Sequence, residues 1–172
     1  MKRIFLIGLF LALTACGQNY RDSSVQMTSM AIFDAQKYEG LWYEVARFPA
    51  PFQAGCTNTE AEYAVIAPGT LSVRNSCMKD GRLTVIEGSA KVVGPGRLKV
   101  RLGGVPFAGD YWVLWVDESY RTAVVGAPSG RVGWILNREP QIPADRLNAA
   151  RQVLDFNGYR LSEMVMTQQD AP

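Results

Sequence analysis

The sequence predicts an all-β domain, an antiparallel sandwich or barrel of eight strands with one amphipathic helix packed on its outside. Three observations carry that expectation. Short segments rich in β-branched and aromatic residues recur from Leu41 to Asn137 at the spacing of an antiparallel sheet. Turn signals stand between them: Pro68-Gly69, Asp80-Gly81, Gly94-Pro95-Gly96, Gly103-Gly104 and Ser129-Gly130. After the last segment the apolar period changes to that of a helix, which places Leu147, Ala150, Val153 and Leu154 on one stripe. A chain of 172 residues, 48% hydrophobic and 20% charged, suits one globular domain able to bury a core.

The N-terminal elements precede that domain. Lys2 and Arg3 lead an apolar run from Ile4 to Leu13, followed by Thr14 and Ala15. Ten apolar or small residues are too few to span a bilayer but match the core of a secretory signal. Residues 1–15 are therefore expected to be removed. Leu13-Thr14-Ala15-Cys16 resembles the lipobox of bacterial lipoproteins, which implies acylation of Cys16 as the new N-terminus, and Gly17 after it resembles lipoproteins sent on to the outer membrane. More than one acyl chain anchors stably where a single chain binds reversibly. Residues 16–32 carry polar side chains with no strong period and read as the lipidated N-terminus and a tether that lets the domain, 33–169, stand off the membrane. Residues 170–172 read as a tail.

Charge and cysteine content narrow the chemistry. Lys and Arg number 18 against 16 Asp and Glu, and loss of Lys2 and Arg3 balances the mature chain. No basic patch appears, so nucleic acid is not an expected partner. The chain has no histidine. That removes Ser-His-Asp and Cys-His nucleophiles and His-ligated metals and leaves only a charge-poor or carboxylate-based chemistry, to which no catalytic residue, metal or cofactor is assigned. With Cys16 lipidated, Cys56 and Cys77 form a pair, expected as a disulfide in an oxidising compartment.

The strands are read as Leu41 to Phe48, Thr57 to Ala67, Thr70 to Met78, Arg82 to Val92, Leu98 to Leu102, Tyr111 to Asp117, Thr122 to Ala127 and Val132 to Asn137. Ala61, Tyr63 and Val65 alternate with Glu60 and Glu62, and Leu98, Val100 and Leu102 alternate with Lys99 and Arg101, so one face of the sheet is wet. The sixth strand is apolar on both faces and needs a cover. Pro143 to Asn157 supplies it, with Pro143 near its start and Gly158 just past its end. Met164 to Thr167 is expected to close the sheet edge.

Side-chain parity assigns the interior. Counting from Trp42 puts Glu44, Ala46 and Phe48 inside, and the second strand adds Ala61, Tyr63 and Val65. Placing Val65 opposite Leu71 pairs Tyr63 with Val73 and Thr59 with Cys77. Val85, Leu98, Val100, Tyr111, Val113 and Trp115 complete the candidate lining. Glu44 is the sharpest of these, because an inward carboxylate needs a partner such as Tyr63, Tyr111, a buried water or a ligand's polar head. Asn75, Arg74 and Ser89 are weaker polar candidates. In this pairing Cys56 lies near the limit of a bridge to Cys77 unless its loop folds back.

Three segments, in order, resemble the lipocalin family. Gly40-Leu41-Trp42 is similar to the family's G-x-W, Asp117 and Tyr120 in D-E-S-Y-R to its D-x-x-Y turn, and Arg138, closing W-I-L-N-R, to the Arg that lies across the first-strand Trp. G-L-W-Y-E-V-A-R-F, the E-G-S-A of Glu87 to Ala90 and the lipobox resemble the bacterial outer-membrane subgroup related to apolipoprotein D. The resemblance implies an eight-stranded up-and-down barrel with room for one small ligand. It assigns Gly40, Trp42, Asp117, Tyr120 and Arg138 to structure. It further implies a lipid-anchored outer-membrane protein that stores or carries a fatty acid or lysophospholipid, with a homodimer compatible with the sequence. The competing readings are a lipocalin-fold isomerase using Cys77 as nucleophile and a structural envelope lipoprotein without ligand.

Overall fold

The computed structural model describes residues 18–170; the signal, Cys16, Gly17 and the last two residues lie outside the described residues. Eight antiparallel strands run up and down: β1 (Gly40–Arg47), β2 (Thr57–Ala67), β3 (Thr70–Lys79), β4 (Arg82–Gly94), β5 (Arg97–Leu102), β6 (Gly109–Val116), β7 (Thr122–Gly126) and β8 (Gly133–Asn137). Each pairs with the next, and β1 closes the barrel by pairing with both β8 and β2. Ahead of it stands a short helix α1 (Ala35–Tyr38), whose first N–H groups are capped by the Asp34 carboxylate. Behind it come α2 (Ala144–Phe156) and a two-residue strand β9 (Val165–Met166). Sequence-derived boundaries agree within two residues at every strand and at α2. Among the described residues no helix is long and apolar enough to cross a membrane.

The barrel seam is shared. β1 and β2 pair only from Gly40–Tyr63 to Tyr43–Glu60. Past that point β9 takes the freed edge of β1 at Ala46–Met166 and Arg47–Val165, and Asn58 N–H donates to the Gln168 carbonyl at 2.8 Å. The expected closing strand therefore covers an edge that would otherwise present unpaired backbone groups.

Two bulges divide the apolar residues between an inner and an outer core. In β1, Glu44 pairs with Leu136 and Ala46 with Ile135, so Val45 is an extra residue. In β6, Val113 pairs with Val125 and Trp115 with Val124, so Leu114 is extra. One extra residue inverts the parity of everything beyond it. The inner core, around Trp42, Tyr63, Leu71, Leu98, Val113 and Leu136, fills the base of the barrel. The outer core, around Val45, Phe48, Leu114, Ile135, Ala150 and Leu154, lies between the barrel wall and α2. This is the cover that the doubly apolar sixth strand requires.

The stretch expected to be a free tether is instead strapped to the barrel. Tyr20 is buried against Phe48, and Arg21 is buried with its Nε donating to the Asn157 carbonyl at 2.7 Å. Thr28 N–H donates to Asn157 Oδ1 and Met30 N–H to the Val113 carbonyl, both at 2.9 Å. The strap shows no period because a few single side chains, Tyr20, Arg21 and Met27, fix it, each in its own site.

Glycine within E-G-S-A has a steric cause. A Cβ on Gly88 would stand 2.1 Å from the Arg101 carbonyl oxygen, a backbone atom of the neighbouring strand. Gly88→Ala is expected to destabilise the fold by about 2 to 3 kcal/mol through forced strand separation. Gly109→Ala, where nothing lies within 4 Å, is expected to stay within about 0.5 kcal/mol of the parent. Urea unfolding of the two variants checks the contrast.

Candidate functional site

The base of the barrel is sealed by one cation. The Arg138 guanidinium lies 3.8 Å from the centre of the Trp42 ring and donates to the carbonyls of Leu41, Lys37, Glu39 and Tyr120. Trp42 Nε1 donates to the Tyr38 carbonyl at 2.8 Å, which ties α1 across the opening. Gly40 enters β1 at a φ of 90°, a backbone conformation that other residues resist. In the β6–β7 turn the Asp117 carboxylate accepts from the N–H groups of Arg121 and Thr122, and the Tyr120 hydroxyl accepts from Asp34 N–H. Partial burial pushes the Asp117 carboxyl up, but these donors outweigh it and hold it below its ordinary value.

Above this floor three tyrosines share hydroxyl contacts inside the barrel. Tyr38 and Tyr111 meet at 2.8 Å, and Tyr63 and Tyr111 at 2.9 Å. Burial pushes Tyr63 up to about 12 and the other two well above their usual value. They are neutral hydrogen-bonding groups across the physiological range.

Register assigns the wall, since paired residues share a face. Trp42, Ala61, Asn75 and Ile86 form one inward row, and Tyr63, Val73, Gly88 and Leu102 the next. Leu71, Ala90 and Val100 form a third, and Val113, Val125, Trp134 and Arg47 face them from the far side. Exposure is uneven along these rows. Trp42, Leu71, Ala90, Leu98 and Val113 are 0% exposed, whereas Ala61, Asn75, Ile86, Val100, Leu102 and Trp134 are half-buried although they point inward. Inward residues that still meet solvent line an interior open at the end opposite Trp42.

Glu44 stands in that upper interior, already partnered. Its Oε1 accepts from Arg47 Nη1 at 2.8 Å and from Thr167 Oγ1 at 2.6 Å, and its Oε2 from Gln53 Nε2 at 2.6 Å. Gln53 Oε1 in turn accepts from Trp134 Nε1 at 3.0 Å. The network joins the β1–β2 connection and the C-terminal segment to the barrel wall. Asn75 Oδ1 and Thr59 Oγ1 are buried without a hydrogen-bond partner.

Of the residues expected inside, Glu44, Ala61, Tyr63, Val73, Val100, Tyr111 and Val113 face the interior. Four do not. The β1 bulge turns Ala46 and Phe48 into the outer core, and the β6 bulge does the same to Trp115. Val85 pairs with Ser76 on the outer wall, and its neighbour Ile86 takes the inner position. The two-residue Asp80-Gly81 turn fixes that register from Lys79–Arg82 onward, so carrying it back from the turn would have found Ile86. Arg74 lies on the outer wall 3.9 Å from Glu87, and Ser89 pairs with the outward Ser72. Arg47, of opposite parity to Ala46, points in for the same reason that Ala46 points out; Gln53 comes from the β1–β2 connection and Tyr38 from the four-residue α1, both too short to show a period.

Cys56 and Cys77 are bonded, with Cα atoms 5.5 Å apart. The expected register holds as far as Glu60–Ser76, and past it one extra residue of β2 stands opposite Cys77. Asn58 adopts a φ of 48°, and the register shifts between Thr57–Met78 and Glu60–Ser76, which draws Cys56 within reach.

A closed barrel with one sealed end, and inward apolar residues that still meet solvent toward the other, has the architecture of the small-molecule binding barrels. The chain belongs to the lipocalin family: the model of the lipocalin-like domain matches residues 33–169. It is 37% identical over 142 residues to the outer membrane lipoprotein Blc of Escherichia coli, covering 80% of each chain. It is 30% identical over 175 residues to apolipoprotein D of Mus musculus, covering 95% of this chain and 91% of that one. The structure of insecticyanin from Manduca sexta superposes with a TM-score of 0.69 at 19% identity, covering 84% of this chain and 85% of that one.

The buried tyrosines set an alkaline limit on stability. An unfolded tyrosine ionises near 10, whereas Tyr63 holds its proton to about 12, so in that window the folded chain binds protons that the unfolded chain has lost. Their contribution is fully present below pH 10 and is lost as pH rises toward 12. Urea unfolding is expected to show falling stability across this window and a smaller fall in Tyr63→Phe.

Proposed function

We propose that the chain is a lipid-anchored protein of the bacterial outer membrane that binds a fatty acid or a lysophospholipid in its barrel and performs no covalent chemistry. The carrying observation is the set of inward, half-buried apolar residues Ala61, Ile86, Val100 and Leu102 above a dry floor. An acyl chain gains about 0.8 kcal/mol for each methylene removed from water, which such a wall provides. The polar network at the upper wall supports a single-chain amphiphile: Arg47 offers a cation to a carboxylate or phosphate, and Glu44 keeps that cation compensated when the barrel is empty. Asn75, half-buried with a side-chain carbonyl oxygen that has no partner, can accept a hydrogen bond from a ligand hydroxyl. Cys77 is held by Cys56, so the isomerase reading lacks its thiolate. The lipobox around Cys16 and the likeness to an outer membrane lipoprotein support the anchor.

Displacement of a fluorescent fatty acid by oleate and by lysophosphatidylcholine tests this reading. Ile86→Trp and Leu102→Trp, which fill the interior, are expected to weaken binding about tenfold or more, equal to about 1.4 kcal/mol. Val85→Trp, one residue away on the outer wall, is expected to bind as the parent does. A membrane-purified protein that carries no lipid and displaces no probe would leave a structural lipoprotein as the better reading.

A further inference from the structure

The strap fixes where the chain leaves the barrel. Tyr20 N–H donates to the Gly130 carbonyl at 2.8 Å, and the Tyr20 hydroxyl to the Pro49 carbonyl at 2.6 Å. Gln18 Nε2 donates to Glu163 at 3.1 Å. Gly130 lies between β7 and β8, Pro49 between β1 and β2, and Glu163 just before β9 meets Arg47. All three are at the open end. From there the strap descends the outer wall to Ser29, whose hydroxyl donates to the Pro95 carbonyl at 2.8 Å in the β4–β5 turn at the base. Cys16 precedes Gln18 by only two residues, a reach of about 7 Å.

The open rim carries exposed apolar side chains. Phe52 in the β1–β2 connection is 66% exposed and Phe107 in the β5–β6 connection 76% exposed, with Leu83 and Val105 exposed beside them. Arg82 and Arg101 stand next to these on the same rim, also exposed. At the base the exposed apolar residues Ile32, Leu41, Ile66 and Val93 are aliphatic, and the length of the docked strap separates them from the anchor. Aromatic side chains flanked by arginine suit the interface of an anionic bilayer.

The geometry points to the barrel mouth as the membrane-facing surface. The acylated N-terminus holds the open end against the bilayer, Phe52 and Phe107 seat in it, and the lipid enters the barrel from the membrane without crossing bulk water. This rests on the anchored, lipid-binding reading above and replaces a domain standing off on a tether with one docked mouth-down.

Quenching of indole fluorescence by brominated acyl chains tests the orientation. The full chain, expressed so that Cys16 is acylated and with that mass confirmed, is reconstituted into vesicles of phosphatidylethanolamine and phosphatidylglycerol. Phe107→Trp and Phe52→Trp report on the mouth and Ile66→Trp on the base, each after subtraction of the parent's four tryptophans. The added indole at the mouth is expected to be quenched at least about threefold more than the one at the base. Equal quenching, or stronger quenching at the base, in a chain of acylated mass overturns the orientation and leaves the anchor standing. A chain whose mass lacks acyl groups overturns the anchored reading itself, and the docked mouth with it.

Discussion

The stack of Arg138 on Trp42 is the constraint on which the rest of this barrel depends. A cation on an aromatic face is worth about 0.5 to 2 kcal/mol. Its larger effect here is connectivity. One guanidinium gathers carbonyls from α1, from the start of β1 and from the β6–β7 turn, three segments that share no strand pairing with one another at the base. Only a planar, many-donor cation does this, since lysine has three donors on a single atom and no face to lay on the ring. Once the base is shut, solvent reaches the interior from the mouth alone. The gradient from dry Trp42 and Leu98 to half-buried Ile86 and Leu102 follows from that closure.

A sealed base leaves the strands with apolar residues for two cores, and the bulges in β1 and β6 sort them. Ahead of Val45 the inward positions of β1 build the floor; beyond it Ala46 and Phe48 join Tyr20, Tyr159 and α2 outside. The same inversion brings Arg47 inward beside Glu44, so one extra residue creates both the outer core and the charged pair of the upper interior. A carboxylate buried there alone would cost several kcal/mol; three donors compensate it.

Much of the architecture was legible in the sequence because strands, turns and the amphipathic helix each leave a periodic or steric mark. The apolar match of Val65 to Leu71 and Tyr63 to Val73 gave the β2–β3 register correctly as far as Glu60–Ser76. The misplacements share a physical cause. Parity carries information only as far as the next bulge, so Ala46, Phe48 and Trp115 were placed inside, and a bulge has no compositional mark of its own in β1, where Val45 looks like any strand residue. Val85 has a different cause: the two-residue Asp80-Gly81 turn pairs Lys79 with Arg82, a register that puts Ile86 on the inner face and Val85 on the outer one. The strap was illegible because three isolated side chains dock it without periodicity.

On the proposed function, the sealed floor, the accessible wall and the strap that returns the N-terminus to the mouth are parts of one container filled from one end. Methyl NMR of the protein titrated with a fatty acid reads that claim residue by residue. Shifts are expected at the methyls of Ile86, Val100 and Leu102 and at the Trp134 indole, with Val124, Ile135 and Leu154 of the outer core unmoved. Perturbations confined to the outer core, or none at saturating ligand, would contradict a lipid held inside the barrel.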